Sequence, residues 1–597
     1  MSRPKTAQEL IHWLEEGAGA RGVALAAVLA VTVALSLRLA WVQFHGPVSE
    51  ATLVQAGMGR QLARGAGFTT LVNYPQASAF LEHHGMRFDP ARPYPELYQA
   101  PLYSLVIAAG LRALPAGMRE ALFTNLSIPP GGGFGADYFL LGLNLLLFWL
   151  AAWLTFVLGR RLFDARTGAL AAGALLVSVG AWQQTVAVNG TPLLMVLALT
   201  VFWILSGLEG AGDETSPAGT GWLVALGAVG GLLFLAAYPA GALGLVALGY
   251  IAWRREGRAR WLAVMWVAGA FVLVTAPWVI RNITLTGNPL ALAIQDVALK
   301  AGDPTAEPAM RRAMLSPALA SVNLTKLGNK TLTSLQDSLK TRLWSGGSLW
   351  LTAFFVAGWL YAFRAPSTNR LRWTLTVALG VLLVVEAVCN SGENERPVTA
   401  WLAPLVMIFG AGFFFVLLGA NPALAAWPRG AAVGLLLLQA VPLLHDALEP
   451  RRQHFNYPPY FPALFAGMRV ELERRDAMGR FGVMADVPAG AAWYGGQRVW
   501  AQPGSMRDFQ AINVQQTVGE LVLTPQTLNR PFFSELAPRP TASDAAEAAS
   551  PASGWGPVYG GLPTGSLPAG FSLSVAQRVT DNLYVLFSPA LPPVRGK

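Results

Sequence analysis

Ser49-Glu50 opens the stretch of the chain best suited to chemistry. Residues 51–64 follow with helical spacing and end in Gly65-Ala66-Gly67-Phe68. Ser49 is a suitable N-cap, which puts Glu50 in the first turn. There the free N–H groups and the helix dipole favour a carboxylate. Two readings of Glu50 are open on spacing alone. It complements the dipole, or it is a general base waiting at a membrane surface. Four arginines, Arg60, Arg64, Arg281 and Arg396, are the candidates for holding an anion, because a guanidinium fork can grip two oxygens. The alternative for each is a lipid headgroup or a carboxylate such as Glu393 or Glu395. Glu96, in Tyr94-Pro-Glu-Leu-Tyr98, either binds an acceptor or is a solvated loop acid. Tyr98 and Tyr103 either stack on a sugar or belong to the interfacial aromatic belt. Glu386 sits within an apolar stretch, where a carboxylate is costly and often functional. His83-His84 is too short a cluster to read as a metal site. Cys389 is the only cysteine, which excludes an intrachain disulfide and a cysteine-based metal site. The Asn-x-Ser/Thr triplets at Asn125, Asn323 and Asn329 occur at about the frequency expected by chance.

These residues need a membrane scaffold. Of 597 residues, 53% are hydrophobic and only 13% charged, where a soluble globular chain carries about 25%. A soluble body of this size and a disordered chain are both excluded. Apolar stretches lie near 22–44, 138–158, 167–187, 192–208, 221–236, 238–253, 260–278, 349–363, 373–389, 399–418 and 430–447. At about 20 residues per crossing they predict about eleven transmembrane helices. No small-residue cleavage site follows the first, so it is read as an anchor. Arg160, Arg161, Arg254, Arg255, Arg258, Arg364, Arg370 and Arg429 all fall on one side if the N-terminus is cytoplasmic. The net charge of +10 then needs no nucleic acid to explain it. Residues 99–115 are apolar but end at Pro115. Counting them as a span would invert everything downstream, so they are read as a juxtamembrane helix.

The predicted fold class is an all-α polytopic membrane protein with a small C-terminal α/β extramembrane domain. Its parts are a cytoplasmic segment 1–21, a transmembrane domain 22–447 with external loops 45–137 and 279–348, and a periplasmic domain 448–597. In the last, Phe481–Asp486, Gly519–Thr524 and Leu583–Phe587 read as strands, and 538–570 as a Pro/Ala/Ser/Gly-rich loop.

Several segments, taken in order, resemble the membrane glycosyltransferases of the GT-C type. The nearest group is the polyprenyl-phosphate-sugar-dependent one that contains the aminoarabinose transferases and protein O-mannosyltransferases. Ser49-Glu50 with Arg60–Phe68 is similar to the family's first external loop, and Tyr98-Gln-Ala-Pro101-Leu-Tyr103 to its juxtamembrane start. Leu158–Phe163, Pro277–Asn282 with Gly287-Asn-Pro289, and Glu395-Arg396-Pro397 with Pro404 look like its later motifs. The similarity spans roughly 22–418. Two positions depart from the pattern. Ser49-Glu50 keeps one carboxylate of the usual pair, and Val188-Asn189-Gly190 lacks the usual acid after the third span.

The resemblance implies transfer of a sugar from a polyprenyl-phosphate donor to a lipid, glycan or protein acceptor at the periplasmic face of a bacterial inner membrane. Phosphate is already a good leaving group, so the reaction needs cationic partners for it and one base for the acceptor. That predicts inversion, with no metal and no cofactor. The expected roles are Glu50 as base, Arg60, Arg64, Arg281 and Arg396 on the donor phosphate, and Glu96, Tyr98, Tyr103, Asn189 and Glu395 on substrate. The loop 279–348 is placed to cover a groove for the polyprenyl tail. The rival readings are a non-catalytic lipid-binding envelope protein and a lipid transporter. A transporter predicts ionisable residues along mid-membrane spans and an internal repeat, and apart from Glu386 neither is evident.

Overall fold

A chain this apolar satisfies its backbone in lipid only by running as helices, and every stretch predicted to span carries helix. The computed structural model describes residues 18–588 except 45, 48, 88, 90–91, 125–133, 211–216, 300–307, 390–395, 423–425, 450–460, 476–480 and 529–553. The predicted segment 1–21 therefore falls almost wholly outside the described residues, as do Glu393, Glu395, Asn125 and half of the Pro-rich loop.

Among the described residues, eight helices are long and apolar enough to cross a bilayer: Ala18–Gln43, Gly135–Leu162, Thr191–Gly210, Pro217–Ala236, Gly257–Thr286, Pro366–Cys389, Ala403–Ala420 and Pro428–Leu448. Two bent pairs raise the number to ten if each is counted as one span. Ala165–Leu176 meets Val179–Val186 at 55°, and Leu324–Ser345 meets Leu349–Leu360 at 114°. The stretch at 238–253 differs from expectation. Pro239 opens a tight turn over Tyr238–Gly241, and the helix Ala242–Arg254 that follows has 13 residues. At 1.5 Å per residue it is about 20 Å long, short of the ~30 Å hydrocarbon core. Residues 102–113 form a short apolar helix, Leu102–Ala113.

Small residues let the helices close on one another. A Cβ added to Gly227 would stand 2.1 Å from the carbonyl oxygen of Val267 on Gly257–Thr286. Large apolar side chains such as Leu37, Trp261, Leu273 and Leu360 point outward. The two ends of the bundle differ in charge. At one end Glu209 pairs with Arg370 and Arg254 and accepts from the Tyr250 hydroxyl, and Arg161 lies beside Gly207. The other end bears the described parts of residues 46–134, of residues 287–323 and of the C-terminal region.

The predicted strands form: β4 Gly482–Ala485, β6 Val518–Leu523 and β8 Leu583–Phe587. They join β2 Val72–Asn73, β5 Val499–Ala501 and β7 Val575–Thr580 in one six-stranded sheet of order β2-β5-β4-β6-β8-β7. The first four are parallel, and β8 and β7 run antiparallel to their neighbours. β2 comes from the first external loop, with Val72 opposite Val499. The sheet therefore crosses the expected boundary at 448. Between sheet and bundle lies the helix Pro488–Gly495, whose eight residues are all buried. Its Ala and Gly content lets both neighbours approach, and Gly496 ends it at φ 66 in the left-handed region.

Candidate active site

The Glu50–Ala63 helix has two working faces. Ser49 caps it as expected, its hydroxyl oxygen accepting from Thr52 N at 3.1 Å. Ala51 and Gln55, four residues apart, share a face and line a cavity of about 190 Å³ at the sheet-bearing end of the bundle. Its wall also includes Tyr98, Tyr238, Asp296, Arg312, Glu386 and Arg396. Leu194, Ala236, Val398 and Trp401 supply an apolar side.

Two cations and two carboxylates meet here. Arg396 Nη1 donates to Ala236 O at 3.1 Å, its Nη2 donates to Gln55 Oε1, and its guanidinium carbon stands 5.8 Å from the Tyr103 ring centre. Gln55 Nε2 in turn donates to Gln99 Oε1 at 3.2 Å. Arg312 stands 5.0 Å from the Tyr98 ring and 5.7 Å from Tyr74. Glu386 Oε2 accepts from Val398 N at 2.8 Å, and Oε1 lies 3.9 Å from Arg342. Asp296 is half-buried in the turn that bridges to the first loop, where Leu292 N donates to Leu97 O and Gln295 bonds Gln76.

Glu96 lies behind this wall. Its Oε1 accepts from Tyr98 N at 2.8 Å and Gln99 N at 3.1 Å, fixing the turn that aims Tyr98 at the cavity. Burial raises its pKa, against those two hydrogen bonds and the nearby Arg312 and Arg281. Tyr98 donates to Gln76 Oε1, and burial raises its pKa too.

The remaining predicted residues are dispersed. Glu50 is turned away from the cavity: Oε2 accepts from Ala489 N at 2.9 Å, at the start of the Pro488–Gly495 helix. One residue of helix is about 100° of rotation, which separates Glu50 from the face of Ala51. Arg60 closes the other end of that helix, Nη1 donating to Trp493 O at 3.3 Å. Asp137 completes the attachment, accepting from Trp493 Nε1 at 2.8 Å and the Tyr494 hydroxyl at 2.9 Å. Arg64 lies with Arg60 in a separate cavity. Arg281 stacks on Trp278 and donates to Phe68 O at 3.0 Å.

Tyr103 and Asn189 support the floor. The Tyr103 hydroxyl donates to Val188 O at 2.7 Å and accepts from Asn144. Asn189 Oδ1 accepts from Thr191 N, while its Nδ2 donates to Gln184. Of the predicted substrate and phosphate groups, the cavity gathers Arg396 and Tyr98. Asp296, Arg312, Gln55 and Gln99 escaped the sequence reading. The Gln295-Asp296 and Arg311-Arg312 pairs in the external loop were the available signal.

Residues 138–280 match the family described as dolichyl-phosphate-mannose-protein mannosyltransferase. No curated protein matches the chain. Among solved structures, ArnT from Cupriavidus metallidurans bound to undecaprenyl phosphate is similar at a TM-score of 0.51 and 14% identity, over 95% of this chain and 99% of that one. The Archaeoglobus fulgidus oligosaccharyltransferase tethered with an acceptor peptide containing the NVT sequon is similar at 0.50 and 12%, over 85% and 69%. The chain has the fold of the GT-C-type membrane glycosyltransferases.

Proposed function

We propose that this protein is an integral membrane glycosyltransferase that takes a sugar from a polyprenyl-phosphate donor at the cavity bounded by Arg312 and Arg396. One observation carries the reading: two guanidinium groups and two carboxylates converge in a cavity that Leu194, Ala236, Val398 and Trp401 also line. The related ArnT structure is bound to undecaprenyl phosphate, which supports a donor of that chemistry.

The roles follow from the geometry. Arg396 is held by Ala236 O and Gln55, so its fork is oriented before a ligand arrives. Charge that builds on the departing phosphate is then met by fixed donors, which cost no reorganisation. Arg312, over two tyrosine rings, supplies the second cation. The acceptor loses its proton to a carboxylate on the cavity wall. Glu386 is engaged by Val398 N and Arg342, which fits a structural charge. In this reading Asp296, half-buried on the same cavity wall, is the base, and Glu50 is a positioning residue that holds the Pro488–Gly495 helix. The donor phosphate leaves as an anion, so a single displacement inverts the anomeric centre. The polyprenyl tail lies along the apolar wall, and the acceptor approaches from the sheet side. The reading includes an orientation with a periplasmic sheet and a cytoplasmic arginine-rich end, in a bacterial inner membrane.

The test is sugar transfer by purified protein in lipid, with a polyprenyl-phosphate-linked sugar as donor. Arg396→Ala should lower turnover by about 100-fold, the usual cost of one transition-state donor. Unchanged turnover removes the cavity from the reaction. Donor binding without any transfer by the native chain favours the lipid-binding reading instead.

A further inference from the structure

A second cavity, of about 290 Å³, lies on the far side of the Glu50–Ala63 helix from the one above. Its wall holds four arginines, Arg60, Arg64, Arg119 and Arg469, and one carboxylate, Glu120. Three separate elements supply the cations. Arg60 and Arg64 are one helical turn apart at the end of Glu50–Ala63, Arg119 is on Ala116–Thr124, and Arg469 is on Pro462–Arg475. Arg469 Nε pairs with the exposed Glu473 at 3.3 Å.

Arg60 is the unusual member. It is 3% exposed, and its guanidinium carbon stands 3.9 Å from the Phe123 ring centre. One nitrogen bonds Trp493 O, yet Nε is buried and finds no hydrogen-bond acceptor among the described residues. A buried donor left in that state is destabilising unless something accepts from it. Burial, with Arg64 and Arg469 nearby, lowers its pKa to about 9. Burial and Arg469 also lower that of Arg64, with Glu120 opposing. Four like charges around one space repel each other, and an anion between them would reverse the sign of that interaction.

We propose that this cavity binds the phosphate-monoester head of a membrane lipid, at a site separate from the one that holds the donor phosphate. A phosphate monoester carries about −1.5 to −2 charges and three acceptor oxygens, which suits several guanidinium forks at once. The lipid assignment comes from the surroundings. Leu111 of the apolar helix Leu102–Ala113 lines the cavity, and Leu105 and Met118 on the two adjoining helices are exposed. Acyl chains have an apolar surface beside the charged space.

Native mass spectrometry of the full chain reads the binding of phosphatidic acid, phosphatidylcholine and inorganic phosphate, each added separately. The double variant Arg64→Ala/Arg119→Ala tests the site without touching Arg60, which anchors the Pro488–Gly495 helix. Phosphatidic acid should bind the native chain at least tenfold tighter than the double variant, while phosphatidylcholine binds both alike. Arg396→Ala should leave this preference intact, which separates the site from the donor reading. Equal binding of phosphatidic acid to native and variant chains overturns the proposal. So does inorganic phosphate binding as tightly as phosphatidic acid, because the site would then take the free ion. If the variant's melting temperature drops, Arg119→Lys, which keeps the charge and loses the fork, should still weaken phosphatidic acid binding, and no weakening overturns the proposal.

Discussion

Two charged regions sit within the same outer layer and use their charge in opposite ways. Around the Pro488–Gly495 helix, every charge has a structural partner at an end of that helix. Glu50 accepts at its N-terminus, Arg60 donates at its C-terminus, and Asp137 takes two side-chain donors from its last turn. A carboxylate at the positive end and a cation at the negative end are the signs a helix dipole favours. In the Arg312–Arg396 cavity, charges that are also held by neighbouring groups line a space. The difference teaches that an acid in a first turn serves a second helix as readily as a substrate, and only the third dimension tells which.

The comparison breaks most visibly at Arg396, whose replacement by Ala should cost about 100-fold in turnover with little change in melting temperature. Asp296→Asn comes next in the same transfer assay. Loss of a general base costs about 100-fold or more, and the loss should persist when donor is saturating, which separates a base from a binding group. Glu50→Gln sharpens the contrast. Turnover should fall less than tenfold, while the melting temperature falls, because the weaker acceptor loosens the helix it holds. A Glu50→Gln chain that melts normally but transfers nothing would restore Glu50 as the base.

Asp137→Ala leaves two buried donors, Trp493 Nε1 and the Tyr494 hydroxyl, without their acceptor. It should destabilise the chain by about 1–3 kcal/mol, read as earlier proteolysis between bundle and sheet. The last prediction concerns Asp486, on the sheet side. Burial raises its pKa from 3.8 to about 7, against hydrogen bonds from Thr524 and Thr527. The folded state therefore holds the proton more tightly than the unfolded one. Stability from this group is full below pH 3.8 and declines as pH rises toward 7. Asp486→Asn should flatten that part of a melting-temperature profile.

The spans were legible because lipid forces a continuous apolar run, and helices occupy all the predicted stretches. The short helix Ala242–Arg254 was not, because Tyr238-Pro239 breaks the backbone without lowering the apolar signal. The three strands in the tail were readable from their β-branched and aromatic runs. Val72–Asn73 was not, since two residues carry no period, and only β5 makes them a strand. Arg396 was found through its place beside a proline at the mouth of a span. Arg312 and Asp296 lie in a long loop whose fold is set by contacts with Leu97 and Gln76, far away in sequence.

The most direct measurement is a density map of the protein with undecaprenyl phosphate bound. The account predicts the phosphate between Arg312 and Arg396, within hydrogen-bond reach of both, and the lipid tail along Leu194, Ala236 and Trp401. A phosphate held at Glu50, or a lipid bound elsewhere with this cavity empty, would contradict it.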